Sequence, residues 1–414
     1  MTQKPKTRPI LIPQYMTDFS CIGSACEDTC CAGWRVDIDE DTYKQYRKTR
    51  DIELKPLLDK KVTRLRSKAS AAAYAKIQMD KEGKCSFLNE ENLCKIQLNQ
   101  GPDLLSNTCA IYPRTLNKVN GIIEKSLTLS CPEAARLALL NPKGMEFDQL
   151  EEHSDTRGYI LKQMVTTNPK LKINVQNYFW ELRIFSIQVL QDRSYNLSER
   201  LIIVGMFIKK VQELVDNGDV HLIPDNIVRY TNLMENKGIK ELLSTVSSNT
   251  QIQFELCKVL VDARFKQGVN NPRYIECLQE MLLGIQYTEE AKIEEVTKKY
   301  EESYELFYEP FMSEREYILE NYLVNHVFKN MFPLGLKTPF EDYVMLVIHY
   351  SMIKLHLIGL AGFHKGLTTD IVIKLIQSFA KTIEHNGNYL RKVSDLLKDN
   401  GFNSMAYMTI LVKN

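Results

Sequence analysis

The sequence predicts a mainly α-helical protein in two parts: an irregular, Cys-rich metal-binding region with short strands over residues 1–145, and an α-helical region over 171–414. Three observations lead there. Eight of the ten cysteines lie within the first 131 of 414 residues. Apolar residues recur at helical spacing through most of the chain beyond residue 171. Between the two, residues 146–170 are punctuated by acidic residues and a Thr166–Pro169 turn, as a linker is. The length suffices for two or three domains and a large core, so compactness does not depend on metal. With 53 basic and 52 acidic residues, net charge offers no argument for nucleic acid or an anionic membrane as partner.

Residues 2–16 are basic, carry three prolines and contain no apolar run of signal-peptide length, so the cytoplasm is the expected compartment. There a local thiol cluster reads as metal-binding rather than as a disulfide framework. Cys21, Cys26, Cys30 and Cys31 fall within eleven residues, and Cys85, Cys94, Cys109 and Cys131 follow. Thiolate is the soft ligand that zinc and iron–sulfur clusters select. Trp34 to Asp39 alternates like a half-buried strand, and Asp39 to Ser70 turns to helical spacing. A turn at Asn89-Glu90 would make Cys85–Cys94 a hairpin with its two thiols facing each other. Asn120-Gly121, flanked by Leu116, Val119, Ile122 and Leu127, is the favoured type I′ pair of a second hairpin, with Pro113 confined to its edge. Folding about it should bring Cys131 back toward Cys109.

Asn141 to Lys172 reads as a loose connection with one short helix. Beyond it, helices are expected at about 176–191, 225–244, 251–265, 272–284, 290–328, 341–361 and 368–386. Asn196 and Glu199 form a capping box that opens the apolar-periodic run Leu201–Leu214. Residues 343–363 approach the length of a membrane span, but Lys354, His349 and His356 lie well inside it. Such residues are costly against lipid, so a central core helix and no membrane are expected. Cys257 and Cys277 sit at apolar helical positions and read as core thiols.

Gly-rich dinucleotide and phosphate loops and an HExxH pair are all missing. Cys26-x3-Cys30-Cys31 approaches the CxxxCxxC motif of radical enzymes, but Gly33 stands where the third thiol belongs. The segments Cys21-Ile-Gly-Ser-Ala-Cys26-Glu-Asp-Thr-Cys30-Cys31-Ala-Gly-Trp34, Cys85–Leu88, Cys94–Ile96 and Cys109–Arg114 resemble those of the bacterial flagellin lysine-N-methylases. The first is also similar to the broader zinc- or iron-chelating CxxC…CC domains. The resemblance continues through Arg183, Tyr195–Arg200, Glu320–Asn325, Phe332-Pro333 and Glu384–Asn386, and so covers most of the chain. It implies transfer of a methyl group from S-adenosylmethionine to flagellin lysines by an enzyme carrying a [4Fe–4S] cluster.

Four thiols would close such a cluster, and three would leave one iron open to the methyl donor. Surplus thiols could form a second site, with zinc as the alternative metal, or serve as packing. A lysine must be presented as a neutral amine, so an acceptor for its proton is needed. Glu320, Tyr322, Asn325, His385 and Asn386 are the candidates, against plain capping and bridging roles for the same side chains. Trp34, Tyr112 and Arg114 are candidates for the cofactor site. Arg114 is suited to a thiolate cluster or a donor carboxylate, with a surface ion pair as its plain alternative. The rival to an enzyme is a zinc-stabilised, non-catalytic protein-binding module.

Overall fold

The structure of the protein, a computed structural model, describes residues 7–413 other than 68, 155, 168–171, 237, 245–248, 266–267 and 289. The side chains of 241, 242, 244, 257 and 260–265 also fall outside the description, and with them the expected core role of Cys257; the Thr166–Pro169 turn runs into an undescribed stretch. The N-terminal half comprises β1 (Thr7–Pro13), β2 (Asp37–Ile38), α1 (Glu40–Lys48), α2 (Leu54–Lys61), β3 (Val62–Arg64), β4 (Ala75–Ile77), α3 (Lys95–Gln100), α4 (Asn107–Ile111), β5 (Arg114–Val119), β6 (Ile122–Leu127), α5 (Pro132–Leu139), β7 (Phe147–His153) and β8 (Lys162–Met164). These strands form two sheets.

The small sheet, in the order β2-β4-β3, is the floor of a lobe with its own core of Val36, Ile38, Tyr46, Leu54, Phe87 and Ile96. Trp34–Asp39 therefore contains its strand, shortened to two residues. The helix expected from Asp39 to Ser70 is broken: Asp39 caps α1, and Asp51 then accepts from the N–H groups of Glu53 and Leu54 to start α2. Val62 and Thr63 are β-branched and pair with β4 instead of continuing the helix.

The larger sheet runs β7-β1-β6-β5-β8. Asn120 and Gly121 take φ of +48° and +89° at the β5–β6 turn, as type I′ requires, and Val119 pairs with Ile122. The segment expected to be a linker with a short helix instead holds β7 and β8. Leu150 faces solvent between acidic residues in β7, and this thin apolar content hides a strand whose support is its seven-residue pairing with β1. β1 lies in the basic, Pro-rich segment, whose prolines mask its strand character until β6 and β7 flank it.

The rest of the chain is helical: α6 (Phe179–Gln191), α7 (Leu197–Asn217), α8 (Ile223–Glu235), α9 (Gly238–Ser244), α10 (Thr250–Phe265), α11 (Pro272–Gly284), α12 (Ile293–Ser303), α13 (Glu309–Met312), α14 (Tyr317–Asn330), α15 (Pro339–His364), α16 (Thr369–Phe379), α17 (Gly387–Asp399) and α18 (Met405–Val412). The Asn196–Glu199 capping box opens α7. The single helix expected over 290–328 is interrupted by a π turn at Tyr304–Tyr308, Pro310 and the Ser313–Glu316 corner. A second π turn, Ala380–Glu384, ends α16.

α15 is the axis of the main core. By length and composition it passes as a membrane span, yet its most apolar window is wholly buried within the fold. Two of its polar residues find partners there: Lys354 Nζ donates to Val412 O at 3.3 Å, and His356 lies 2.7 Å from Met352 O and 3.1 Å from Tyr274 OH. α11 crosses α15 where Gly284 meets Gly359. A Cβ on Gly284 would fall 1.8 Å from the Gly359 carbonyl oxygen, so only glycine permits this approach. Cys277 is buried in the same core. That core also takes in Tyr15, Leu127, Leu129 and α5, so the helices and the larger sheet share one interior.

Candidate active site

The thiol loop 21–31 lies against the end of α16. Lys381, in the π turn, donates to both carboxylate oxygens of Asp28 at 3.0 and 2.8 Å and to Thr29 O at 2.9 Å. Gln377 Nε2 donates to Asp28 Oδ2 and to Ser130 O, each at 2.8 Å. Glu27 meets Arg136 of α5 in a two-pronged pair. A π turn inserts one residue into the helical repeat and re-aims the side chains beyond it. Here it points Lys381, Glu384 and His385 at three different partners.

His385 Nε2 is 3.0 Å from Ser130 Oγ and 3.2 Å from Thr128 Oγ1. Ser130 Oγ is 3.0 Å from Tyr112 OH, the Tyr112 ring lies 5.8 Å from that of Trp34, and Trp34 Nε1 donates to Cys30 O at 2.6 Å. Three residues chosen from the sequence, Trp34, Tyr112 and His385, thus form one chain of contacts from the thiol loop into the helical part. Ser130, Thr128, Asp28, Gln377 and Lys381 join them and carried no local signal, because their partners are more than 240 residues away in most cases. Burial pushes His385 below its ordinary range, with Lys329 acting in the same direction and Glu384 opposing. Its imidazole is therefore neutral near pH 7 and retains a lone pair.

Behind His385, Glu384 accepts from Tyr322 OH at 2.8 Å and pairs with Lys329. Burial alone would raise this carboxyl, but Lys329, His349 and His326 hold it well below the usual range. Burial, reinforced by Glu384, raises Tyr322 far above the ordinary phenol range. His326 and His349 face each other at 3.4 Å between their Nδ1 atoms, and burial lowers both.

The other candidates fall elsewhere. Glu320 is buried between Arg193 and Arg200, at 2.7–2.9 Å, and its oxygens are fully engaged. Asn325 accepts from Tyr15 OH at 2.7 Å, joining α14 to the strand side. Asn386 caps α17 by accepting from Tyr389 N at 3.0 Å. Arg114 lies over the Phe19 ring at 5.3 Å; burial lowers it while its Cys21 neighbour opposes that shift.

All eight N-terminal cysteines are free thiols. The expected Cys85–Cys94 hairpin is replaced by a tighter turn: Asn89 Oδ1 accepts from the N–H groups of Glu91 and Leu93, and Asn92 takes φ +58°. Cys94 then bridges to Leu88 and Cys85 to Met79, and both pack in the same lobe core. The β5–β6 hairpin brings Tyr112, rather than Cys109, to residue 130. Cys30 Sγ lies 3.9 Å from Cys31 Sγ. Hydrogen bonding from that neighbour lowers Cys30 to about 7, with Lys381 assisting against burial. Among the described residues, no three His, Cys, Asp or Glu side chains converge tightly enough for a single ion.

Residues 183–411, more than half of the chain, match the family model described as the FliB lysine N-methylase C-terminal domain. The chain belongs to the flagellin lysine-N-methylase family. That match spans α6 to α18 and includes the π turn at the site. A lysine-N-methylase of Salmonella choleraesuis (strain SC-B67) is 23% identical over 385 residues, covering 90% of this chain and 91% of that protein. A lysine-N-methylase of Salmonella typhimurium (strain LT2) is 22% identical over the same shares. The flagellar biosynthetic protein FliU of Salmonella muenchen is 33% identical over 151 residues, which is 36% of this chain and 88% of that protein. No solved structure matches the chain.

Proposed function

We propose that this protein is a cytoplasmic methyltransferase that moves a methyl group from S-adenosylmethionine to lysine side chains of flagellin, with a [4Fe–4S] cluster on thiols of residues 21–131. Family membership supports the reaction class. The observation that carries the site is His385, a neutral imidazole within the family region, bonded to Ser130 and through it to Tyr112 above the thiol loop.

The chemistry needs an amine lone pair. As the lysine nitrogen bonds to the methyl carbon, the sulfonium S–C bond breaks and its electron pair leaves on sulfur as a neutral thioether. One proton must depart from nitrogen per methyl transferred. A neutral His385 can accept it at Nε2 by way of Ser130, whose hydroxyl lies 3.0 Å from that nitrogen and would take the amine proton as it passes its own to the ring. Trp34 and Tyr112 offer ring faces to a cationic sulfonium or ammonium. Soft thiolates fit iron–sulfur chemistry, in which each thiolate meets a different iron. When bound, such a cluster supplies a Lewis-acidic iron beside these groups.

Intact-mass measurement of flagellin co-expressed with and without this protein tests the reading. The expected result is a series of methyl-sized increments that map to lysines. Unchanged flagellin together with colourless, zinc-loaded protein would instead identify a zinc-stabilised binding module.

A further inference from the structure

α6 and α8 leave a groove between them. Their C-terminal ends meet at Tyr195, whose hydroxyl donates to Met234 O at 3.0 Å, and a space of about 500 Å³ opens along the seam. Its floor is apolar, made by Phe185, Val189, Tyr195 and Met234. The rim runs from Gln188 to Asp192 along α6 and from Thr231 to Glu235 along α8, a step of one helical turn in each case. One turn further back on the same two stripes stand Ile184 and Val228, 50% and 58% exposed. Both walls thus grade from an apolar side chain, through a neutral polar one, to a carboxylate. The Ile184–Asp192 stripe spans about 12 Å, roughly two helical turns.

The acidic end favours a cation. Asp192 is the C-cap of α6 and Glu235 the last residue of α8, so the final carbonyls of both helices add partial negative charge there. The chain's own Lys240 already reaches this end: its Nζ donates to Ser194 O at 3.0 Å and lies 5.1 Å from the centroid of the Tyr195 ring. It offsets one of the two carboxylates. Arg193 is turned away, toward Glu320 and Pro142 O. One carboxylate and two helix ends are thus left to meet a second cation.

We propose that this groove docks a lysine-bearing amphipathic helical segment of the protein substrate, with apolar side chains on the floor and a lysine at the Asp192–Glu235 end. Charge complementarity selects the occupant: a protein modified on lysines carries ammonium groups, and the graded walls match a segment whose apolar face ends in one about two turns on. This rests on the flagellin-lysine reading above and deepens it by separating docking from transfer. Arg193, next to Asp192, pairs with Glu320 of α14, whereas Tyr322 of α14 pairs with Glu384, next to His385. Positions two apart on a helix point to opposite faces. The groove and the proposed transfer site therefore flank α14 on opposite sides, and the docked lysine is not the one that receives the methyl group.

Flagellin binding to the full chain is measured by calorimetry, and methylation kinetics separately, for wild type, the Asp192→Asn, Glu235→Gln double variant and Thr231→Trp. Charge removal should weaken flagellin binding roughly three- to tenfold, and added salt should weaken wild type in the same direction. Thr231→Trp, which fills the groove, should weaken it roughly tenfold or more. KM for flagellin should rise by the same factors with kcat unchanged, while a short single-lysine peptide, unable to reach the groove, should be methylated at the wild-type rate. In parallel, a photo-crosslinking benzophenone residue in place of the exposed Gln188 should join to a flagellin segment that bears lysine beside apolar residues. This second measurement leaves the groove's floor and carboxylates intact. Equal flagellin affinity in all three proteins, no flagellin bound by wild type, equal slowing of the short peptide, or crosslinks joining two copies of this chain would each overturn the docking site. Binding that the variants weaken, with no methyl transfer to flagellin by wild type, would leave the docking site standing and remove the proposed reaction.

Discussion

His385 separates chemistry from architecture at the level of single residues. Replacing it with Gln preserves a hydrogen bond to Ser130 but removes the basic nitrogen. H385Q should lower methyl transfer roughly 10²-fold, with the melting temperature nearly unchanged and the acid limb of the pH–rate profile lost. Unchanged rate and profile would reduce His385 to a helix-end residue. Glu320 makes the opposite case. Its carboxylate is buried between Arg193 and Arg200, so Glu320→Ala removes the buried partner of Arg200, which keeps only its pair with the partly exposed Glu316, and should cost about 1–3 kcal/mol in stability. A denaturation midpoint equal to wild type would contradict that. Both residues stand out in the sequence, but only as polar groups at helical positions. Local pattern does not show which carboxylate is consumed by arginines, because Arg200 is 120 residues from Glu320.

The buried histidines set a pH dependence. Burial lowers His349 and His356 to about 4 and His326 also falls well below 6.5. A histidine whose folded pKa is depressed contributes stability that is complete above its unfolded value, near 6.5, and is lost as pH falls toward the folded value. Stability measured by urea unfolding should therefore drop between pH 6.5 and 4, by about 3 kcal/mol for each of His349 and His356 at the lower end. Asp342, raised by burial to about 7 while bonding the N–H groups of Gly335 and Leu336, acts in the opposite sense. A flat urea midpoint across this window would show that these imidazoles are hydrated in solution.

Among the elements, the π turn at Ala380–Glu384 is the part on which the site depends. It aims Lys381 at Asp28 and His385 at Ser130 from adjacent turns. Removing the cation in Lys381→Met should loosen the 21–31 loop. A double-mutant cycle with Asp28→Asn should return a coupling of about 1–3 kcal/mol for this half-buried, hydrogen-bonded pair. Coupling near zero would mean that the loop is held by other contacts. The expected helix over 368–386 covers this element, yet a π turn has no signature in apolar spacing. The same limit explains the broken 290–328 helix. Where a local device is present, the sequence is legible: Asn120-Gly121 places the hairpin turn, and Asn196 with Glu199 places the start of α7. β7 and β8 lack one, because pairing with distant strands holds them.

At the scale of the whole molecule, the larger sheet and the helices share one core, so the thiol-bearing half is not separable at residue 150. A fragment of residues 1–150 would cut β7 and expose Leu127, Leu129, Ala138 and Leu139, which the helices now cover. It should aggregate or lack cooperative unfolding by calorimetry; a sharp transition would show that the strand half folds alone. The shared core also fixes the thiol loop relative to the family region. That geometry is the basis for the proposed methyl-transfer site at their junction. The most direct test is lysine-resolved mass mapping of purified flagellin after incubation with S-adenosylmethionine and either the anaerobically reconstituted wild type or H385Q. The account predicts methyl increments on flagellin lysines with wild type and a roughly 10²-fold slower appearance with H385Q at equal iron content. Absence of increments with iron-loaded wild type, or equal rates for the two proteins, would contradict it.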